Sequence, residues 1–167
     1  MAGVGWFGPE RAKGRRNMGR FETVAKAFVD AINRGDLDAV TASYSENCTV
    51  EDPMYPAPLV GRNAVREDAA AFLRGFPDLR LELGDLLEKG DIGMAEYRIT
   101  GTNTGPLTTP MGEVPATGKR LDVHGSVYAR LNDRDLTVEE HRHYDVAGVM
   151  RALGLMPEPE AATVAAR

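Results

Sequence analysis

Cysteine is nearly absent. The single Cys48 leaves no internal disulfide and no cysteine-based zinc cluster open to the chain, and it fits a reducing compartment. A basic surplus is also missing, because 20 Lys and Arg face 25 Asp and Glu for a net charge of -5. Binding to a phosphate backbone needs that surplus, so nucleic acid is not an expected partner. Long apolar runs are lacking: no stretch approaches the ~20 residues that cross a bilayer, and no basic-then-apolar leader is visible. No membrane partner is expected, and the cytoplasm is the expected compartment. There is no GxSxG elbow and no HExxH pair, and Gly101-Thr-Asn-Thr-Gly105 lies at a strand end with no helix after it, so it is no phosphate loop.

What remains is the composition of one globular domain, with 167 residues, 43% hydrophobic and 27% charged. Residues 1–17 hold four glycines and the only tryptophan without any period, and they read as a flexible extension. Residues 18–157 read as the domain, and 158–167 as a second flexible tail.

Within the domain, Phe21, Val24, Ala25, Phe28, Val29 and Ile32 recur at spacings of three and four, which predicts an amphipathic helix stopped at Gly35. Asp36 is placed to cap a second helix striped by Leu37, Val40 and Tyr44. A short strand, Cys48–Glu51, ends at Asp52-Pro53, and a third helix fits Gly61 to Gly75 with Val65, Ala69, Phe72 and Leu73 facing inward. Alternation then gives a hairpin about Gly90-Asp91, a Gly/Pro/Thr-rich loop from Asn103 to Gly118, and two more strands about Asn132-Asp133. A last helical turn or two spans Val146 to Leu153. Helices segregated from an antiparallel sheet predict an α+β domain.

The richest chemistry lies in Glu139-Glu140-His141-Arg142-His143-Tyr144-Asp145. In a strand, Glu139, His141, His143 and Asp145 share one face, and Glu140, Arg142 and Tyr144 the other. Neither row is apolar, so the strand lines a cavity or an exposed surface. The preceding strand has one apolar row, Val123, Gly125, Val127, Ala129 and Leu131, and one mixed row, His124, Ser126 and Tyr128. All three histidines therefore fall on neighbouring strands. His141 and His143 with Glu139 or Asp145 could complete a 2-His-1-carboxylate metal set, a weaker reading than acid/base chemistry because strand i, i+2 pairs carry little specificity. Cys48 reads as a small buried residue, and Asp52-Pro-Met-Tyr55 as a strand exit that brings Tyr55 to a pocket mouth.

In order and spacing, AFVDAINRGDLDAV, FPDLRLELGDLLEKGD, YRITGTNTGPL, PATGKRLDVHG and VEEHRHYDVAGVMRALGLMP resemble the successive blocks of the SnoaL-like polyketide cyclases, in the nuclear transport factor 2-like superfamily. The resemblance runs from about Phe21 to Pro157. It implies a cone in which a curved antiparallel sheet is wrapped by helices around one apolar pocket with polar groups at its floor. It also implies an intramolecular aldol ring closure of an aromatic polyketide, without metal or organic cofactor, by an aspartate acid/base that matches Asp145.

On that reading His141 and His124 orient or polarise, and Tyr55, Asn103, His143 and Tyr128 contact a small apolar or aromatic substrate. Two departures from the family pattern stand out: Asn103 where a histidine is common, and Arg142, expected on the outer face, where an aromatic is common. The open face of such sheets implies a homodimer or homotetramer. The alternatives are a hydroxylase, a binding module for an apolar ligand, and hydrolysis of an epoxide or ester. Hydrolysis would need an Asp-Arg-Asp constellation, for which Arg98, Asp122 and Asp145 come into view.

Overall fold

The stripe that begins at Phe21 forms helix α1 (Arg20–Arg34), in a computed structural model that describes residues 19–109 and 112–157. The expected extension 1–17 and tail 158–167 lie outside the described residues. Gly35 ends α1 in the left-handed region at φ 69°, a conformation that costs glycine nothing, and its N–H bonds back to the last turn. The Asp36 carboxylate accepts the Ala39 N–H at 3.0 Å and so caps α2 (Leu37–Ala42), as its position in the sequence predicts. Tyr44 does not extend this helix. It opens strand β1 (Tyr44–Glu51), which is longer than the β-branched run at Cys48 suggests.

A two-residue strand β2 (Leu59–Val60) leads into α3 (Arg62–Gly75), and strands β3 (Arg80–Lys89) and β4 (Ile92–Thr102) form the hairpin about Gly90-Asp91. The loop from Asn103 carries a small ribbon, β5 (Leu107–Thr109) with β6 (Gly112–Val114), that its Gly/Pro/Thr composition hides. Strands β7 (Arg120–Leu131) and β8 (Thr137–Tyr144) follow, and α4 (Val146–Ala152) is the last element among the described residues.

The main sheet runs β2-β1-β8-β7-β4-β3 and is not closed. From β3 to β8 it is the expected antiparallel meander. One pair departs from that pattern, since β1 lies parallel to β8. A parallel neighbour needs a long return connection, and the whole of β2 to β7 supplies one. Register shifts interrupt β3–β4, β7–β8 and β1–β8, and such bulges bend a sheet.

Helices α1 to α4 cover one face, and the core joins Ala31, Ile32, Val40, Phe76, Leu121 and Leu153 between them and the sheet. The fold is the α+β class expected. Between the helices and this inner face lies a cavity of about 240 Å³ walled mostly by apolar side chains. Among the described residues, no helix is long and apolar enough to cross a membrane.

Candidate active site

The β7–β8 register decides which side chains of β8 meet the cavity. Ala129 pairs with Glu140, Val127 with Arg142 and Gly125 with Tyr144, so the inward apolar row of β7 lies beside Glu140, Arg142 and Tyr144. The two rows of β8 separate as alternation requires, and Arg142 points inward rather than onto the outer face.

Two other segments complete the inward cluster. Directly after β1, the Asp52 carboxylate accepts the Met54 N–H at 2.9 Å and its carbonyl accepts the Tyr55 N–H at 3.0 Å, a tight turn that Pro53 suits. That turn brings both Asp52 and Tyr55 to the cavity wall. Asp68 comes from α3, where it lies within the stripe of Val65, Ala69 and Phe72.

Arg142 ties these groups together. Its Nε donates to Glu140 Oε1 at 2.7 Å, and its Nη1 donates both to Asp68 Oδ2 at 2.8 Å and to Asp52 Oδ2 at 3.2 Å. Three tyrosines close the remaining carboxylate oxygens: Tyr144 donates to Asp52 Oδ1 at 2.6 Å, Tyr55 to Asp68 Oδ1 at 2.7 Å and Tyr44 to Glu140 Oε2 at 2.6 Å. Burial works against the charge on Arg142, but Glu140, Asp68 and Asp52 outweigh it and hold the guanidinium protonated. Burial first, then the carboxylates beside them, push Tyr44, Tyr55 and Tyr144 well above the usual phenol range, so all three remain donors at neutral pH. The Asp52 side chain is only 7% exposed. Charged groups this dry persist because each is paired and hydrogen-bonded.

The expected site residues divide between two faces. Tyr55 lines the cavity, as anticipated. His124, Tyr128, His141 and His143 do gather on β7 and β8, with Tyr128 opposite His141 and Ser126 opposite His143, but on the outer face. There His141 sits between Glu139 at 3.0 Å and Glu51 at 3.2 Å, edge-on to Tyr128 at 5.3 Å between ring centres. Arg130 links Tyr128, Glu139 and Asp91 on the same face. The expected place of Asp145 at the pocket floor is corrected. It caps α4 by accepting the Gly148 N–H at 2.9 Å, reaches Arg151 at 3.4 Å, and leaves 69% of its side chain exposed. The strand turns into a helix at this residue, which takes its carboxylate away from the sheet.

Asn103, expected to contact substrate, does not line the cavity and is a structural clamp. It is fully buried, donates to the carbonyls of Gly75 and Gly105, and accepts from Thr117. Arg98 and Asp122 do pair, at 2.7 and 2.8 Å, but on the outer face and apart from Asp145. Cys48 is fully buried, and burial raises its thiol, so it makes a poor nucleophile. Among the described residues, no group of three or more His, Cys, Asp or Glu is placed to hold a metal ion.

Asp52, Asp68, Glu140, Arg142 and Tyr144 were missed as site residues. Alternation separates the two rows of β8, but the register that sets Arg142 beside Val127 includes a one-residue shift between Arg130 and Leu131 that counting from the Asn132-Asp133 turn does not give.

The SnoaL-like polyketide cyclase family model matches residues 22–153. The chain belongs to this family. Solved structures agree on the fold. A candidate SnoaL-like polyketide cyclase from Jannaschia sp. CCS1 is 20% identical, with a TM-score of 0.71 over 86% of this chain and 100% of its own. AclR, a candidate hydroxylase from Streptomyces galilaeus, is 24% identical, with a TM-score of 0.67 over 81% of this chain and 96% of its own. IdmH, a candidate polyketide cyclase from Streptomyces antibioticus, is 21% identical, with a TM-score of 0.63 over 79% and 96%. In this member, then, a SnoaL-like cavity carries a carboxylate–guanidinium–tyrosine cluster on its wall.

Proposed function

We propose that the protein closes a ring in an aromatic polyketide or related polycyclic carbonyl compound by an intramolecular aldol step, with Asp52 as the acid/base. The observation that carries this is the cluster of Asp52, Arg142, Asp68 and Tyr144 on the wall of an apolar cavity. Apolar walls hold a fused-ring substrate, and a desolvated carboxylate is the group that can take a proton from a carbon flanked by carbonyls. Asp52 suits this better than Asp68, because its contact with Arg142 is the longer, 3.2 against 2.8 Å, and leaves Oδ2 less committed.

In the step proposed, Asp52 Oδ2 takes the proton and the C–H pair passes into the enolate. The enolate carbon attacks a second carbonyl of the same molecule to form the C–C bond. The resulting alkoxide recovers the proton from Asp52. Family membership favours this chemistry over other uses of the same cavity, and Asp145, remote from the cavity, is not needed in it.

A second reading has one specific observation behind it. Asp52 and Asp68 on a single nitrogen of Arg142 make an Asp-Arg-Asp arrangement, the constellation that epoxide or ester hydrolysis by an activated water requires. Product mass separates the two. Ring closure leaves the mass of the substrate unchanged, whereas hydration or hydrolysis adds one water. A product heavier by one water, formed at a rate that Asp52→Asn abolishes, replaces the cyclase reading by the hydrolytic one.

A further inference from the structure

Four tyrosines line the cavity, and three of them donate to carboxylates: Tyr44 to Glu140, Tyr55 to Asp68 and Tyr144 to Asp52. Tyr97 does not. Its side chain is as dry as theirs, with the residue 9% exposed, yet its hydroxyl has no hydrogen-bond partner among the described residues. The ring is buried but the hydroxyl opens onto the cavity, where a bound molecule rather than the fold can accept its hydrogen bond.

The sheet nevertheless makes room for this hydroxyl. Tyr97 on β4 pairs with Gly125 on β7, and Gly125 pairs with Tyr144 on β8, so the three form one row across the inner face. A methyl group on Gly125 would stand 2.5 Å from both Cζ and Oη of Tyr97. The Tyr97 ring therefore lies in the gap left by the missing side chain, with its hydroxyl carried across β7 toward Tyr144 and Asp52. Burial pushes this phenol up to about 12, with Arg142 acting in the opposite direction and Asp52 and Glu140 adding to the rise. At neutral pH it holds its proton as a donor.

We propose that Tyr97 is the hydrogen-bond donor that takes up the reacting carbonyl oxygen of the substrate, and that Gly125 is the residue that makes space for it. This rests on the reading of the cavity as an acid/base site. The substrate class narrows accordingly, to ketones with an enolisable carbon one bond from a carbonyl that sits over Gly125. When Asp52 takes the proton, the electron pair of the C–H bond becomes the negative charge on that oxygen. Tyr97 stabilises it by donating a hydrogen bond and transfers no proton of its own.

The test uses 2-tetralone labelled with ¹³C at the carbonyl, a fused-ring ketone small enough for the cavity. Its bound carbonyl stretch is read by isotope-edited infrared spectroscopy and its affinity by titration, in the full-length protein and in Tyr97→Phe. Phe keeps the ring in the gap and removes only an unpartnered hydroxyl, so the melting temperature should be equal or higher. The expected result is a stretch at lower frequency in the parent than in Tyr97→Phe, with affinity ~10-fold weaker in the variant. The same stretch and affinity in both proteins overturns the role of Tyr97 and leaves the function reading intact. No saturable binding to the parent overturns both.

Discussion

Along β8 the outward residues Glu139, His141 and His143 alternate with the inward residues Glu140, Arg142 and Tyr144, and the two rows draw on similar chemistry. Outward, His141 lies between two carboxylates and Arg130 joins three partners, all with water alongside. Inward, one guanidinium is shared by three carboxylates whose other oxygens are closed by tyrosines, next to an apolar cavity. What separates the rows is solvent rather than residue type. In water such pairs contribute little, whereas on a dry wall the same groups become mutually dependent and can be aimed at a substrate. A strand rich in ionisable groups therefore points to function only once its faces are assigned.

The comparison can be broken hardest at Arg142. Replacing it by Met keeps the length and removes the charge, leaving Asp52, Asp68 and Glu140 facing one another without a cation. Loss of one partner from a buried ionic cluster costs about 3–5 kcal/mol, so Arg142→Met should show a large fall in its urea midpoint. The corresponding outer-face change, Arg130→Met, should leave the midpoint close to that of the parent. Equal effects would mean that the two faces are equally wet.

A gentler cut is pH, because the two faces set opposite limbs of the stability profile. Tyr97 rises from 10.0 to about 12 on folding, and Tyr44, Tyr55 and Tyr144 move in the same direction. Their contribution is complete below pH 10 and declines as pH climbs toward the folded values. On the outer face Asp122 is lowered by Arg98, and Glu139 by His141 and then Arg130. Their contribution is present above about pH 4 and is lost as pH falls through the folded values. Denaturation midpoints across pH should thus drop on the alkaline side together with tyrosinate absorbance.

The smallest expected effect belongs to Asp145. Asp145→Ala removes the cap of α4 and should cost ~1 kcal/mol, and Asp145→Asn, which keeps an accepting oxygen, should cost little or nothing. Thermal unfolding of the pair checks this. Equal losses in both variants would show that the charge beside Arg151 matters more than the cap.

How much of this the sequence carried follows from what periodicity can and cannot encode. The stripe of Phe21 to Ile32, the stop at Gly35, the cap at Asp36 and the turns at Gly90-Asp91 and Asn132-Asp133 are local signals, and each formed the element it predicts. The split of EEHRHYD into two rows is local as well. Which row faces inward depends on pairing with β7, and the histidines lie on the outward row with Asp145 beyond the strand end. Asp52 and Asp68 reach the cavity through a turn and a helix distant in sequence, so spacing alone does not join them to Arg142. The parallel β1–β8 pair is likewise a contact between segments far apart in sequence that no local pattern records.

The central claim is that proton transfer belongs to the inner cluster, and it can be measured without knowing the natural substrate. Exchange of the C1 protons of 2-tetralone in D₂O, followed by NMR, reports abstraction of a proton next to a carbonyl. The parent protein should accelerate this exchange, Asp52→Asn should lose ~10²–10⁴ of the acceleration, and Asp145→Asn should keep it. Exchange that survives in Asp52→Asn and disappears in Asp145→Asn would contradict the account and return the chemistry to the end of β8.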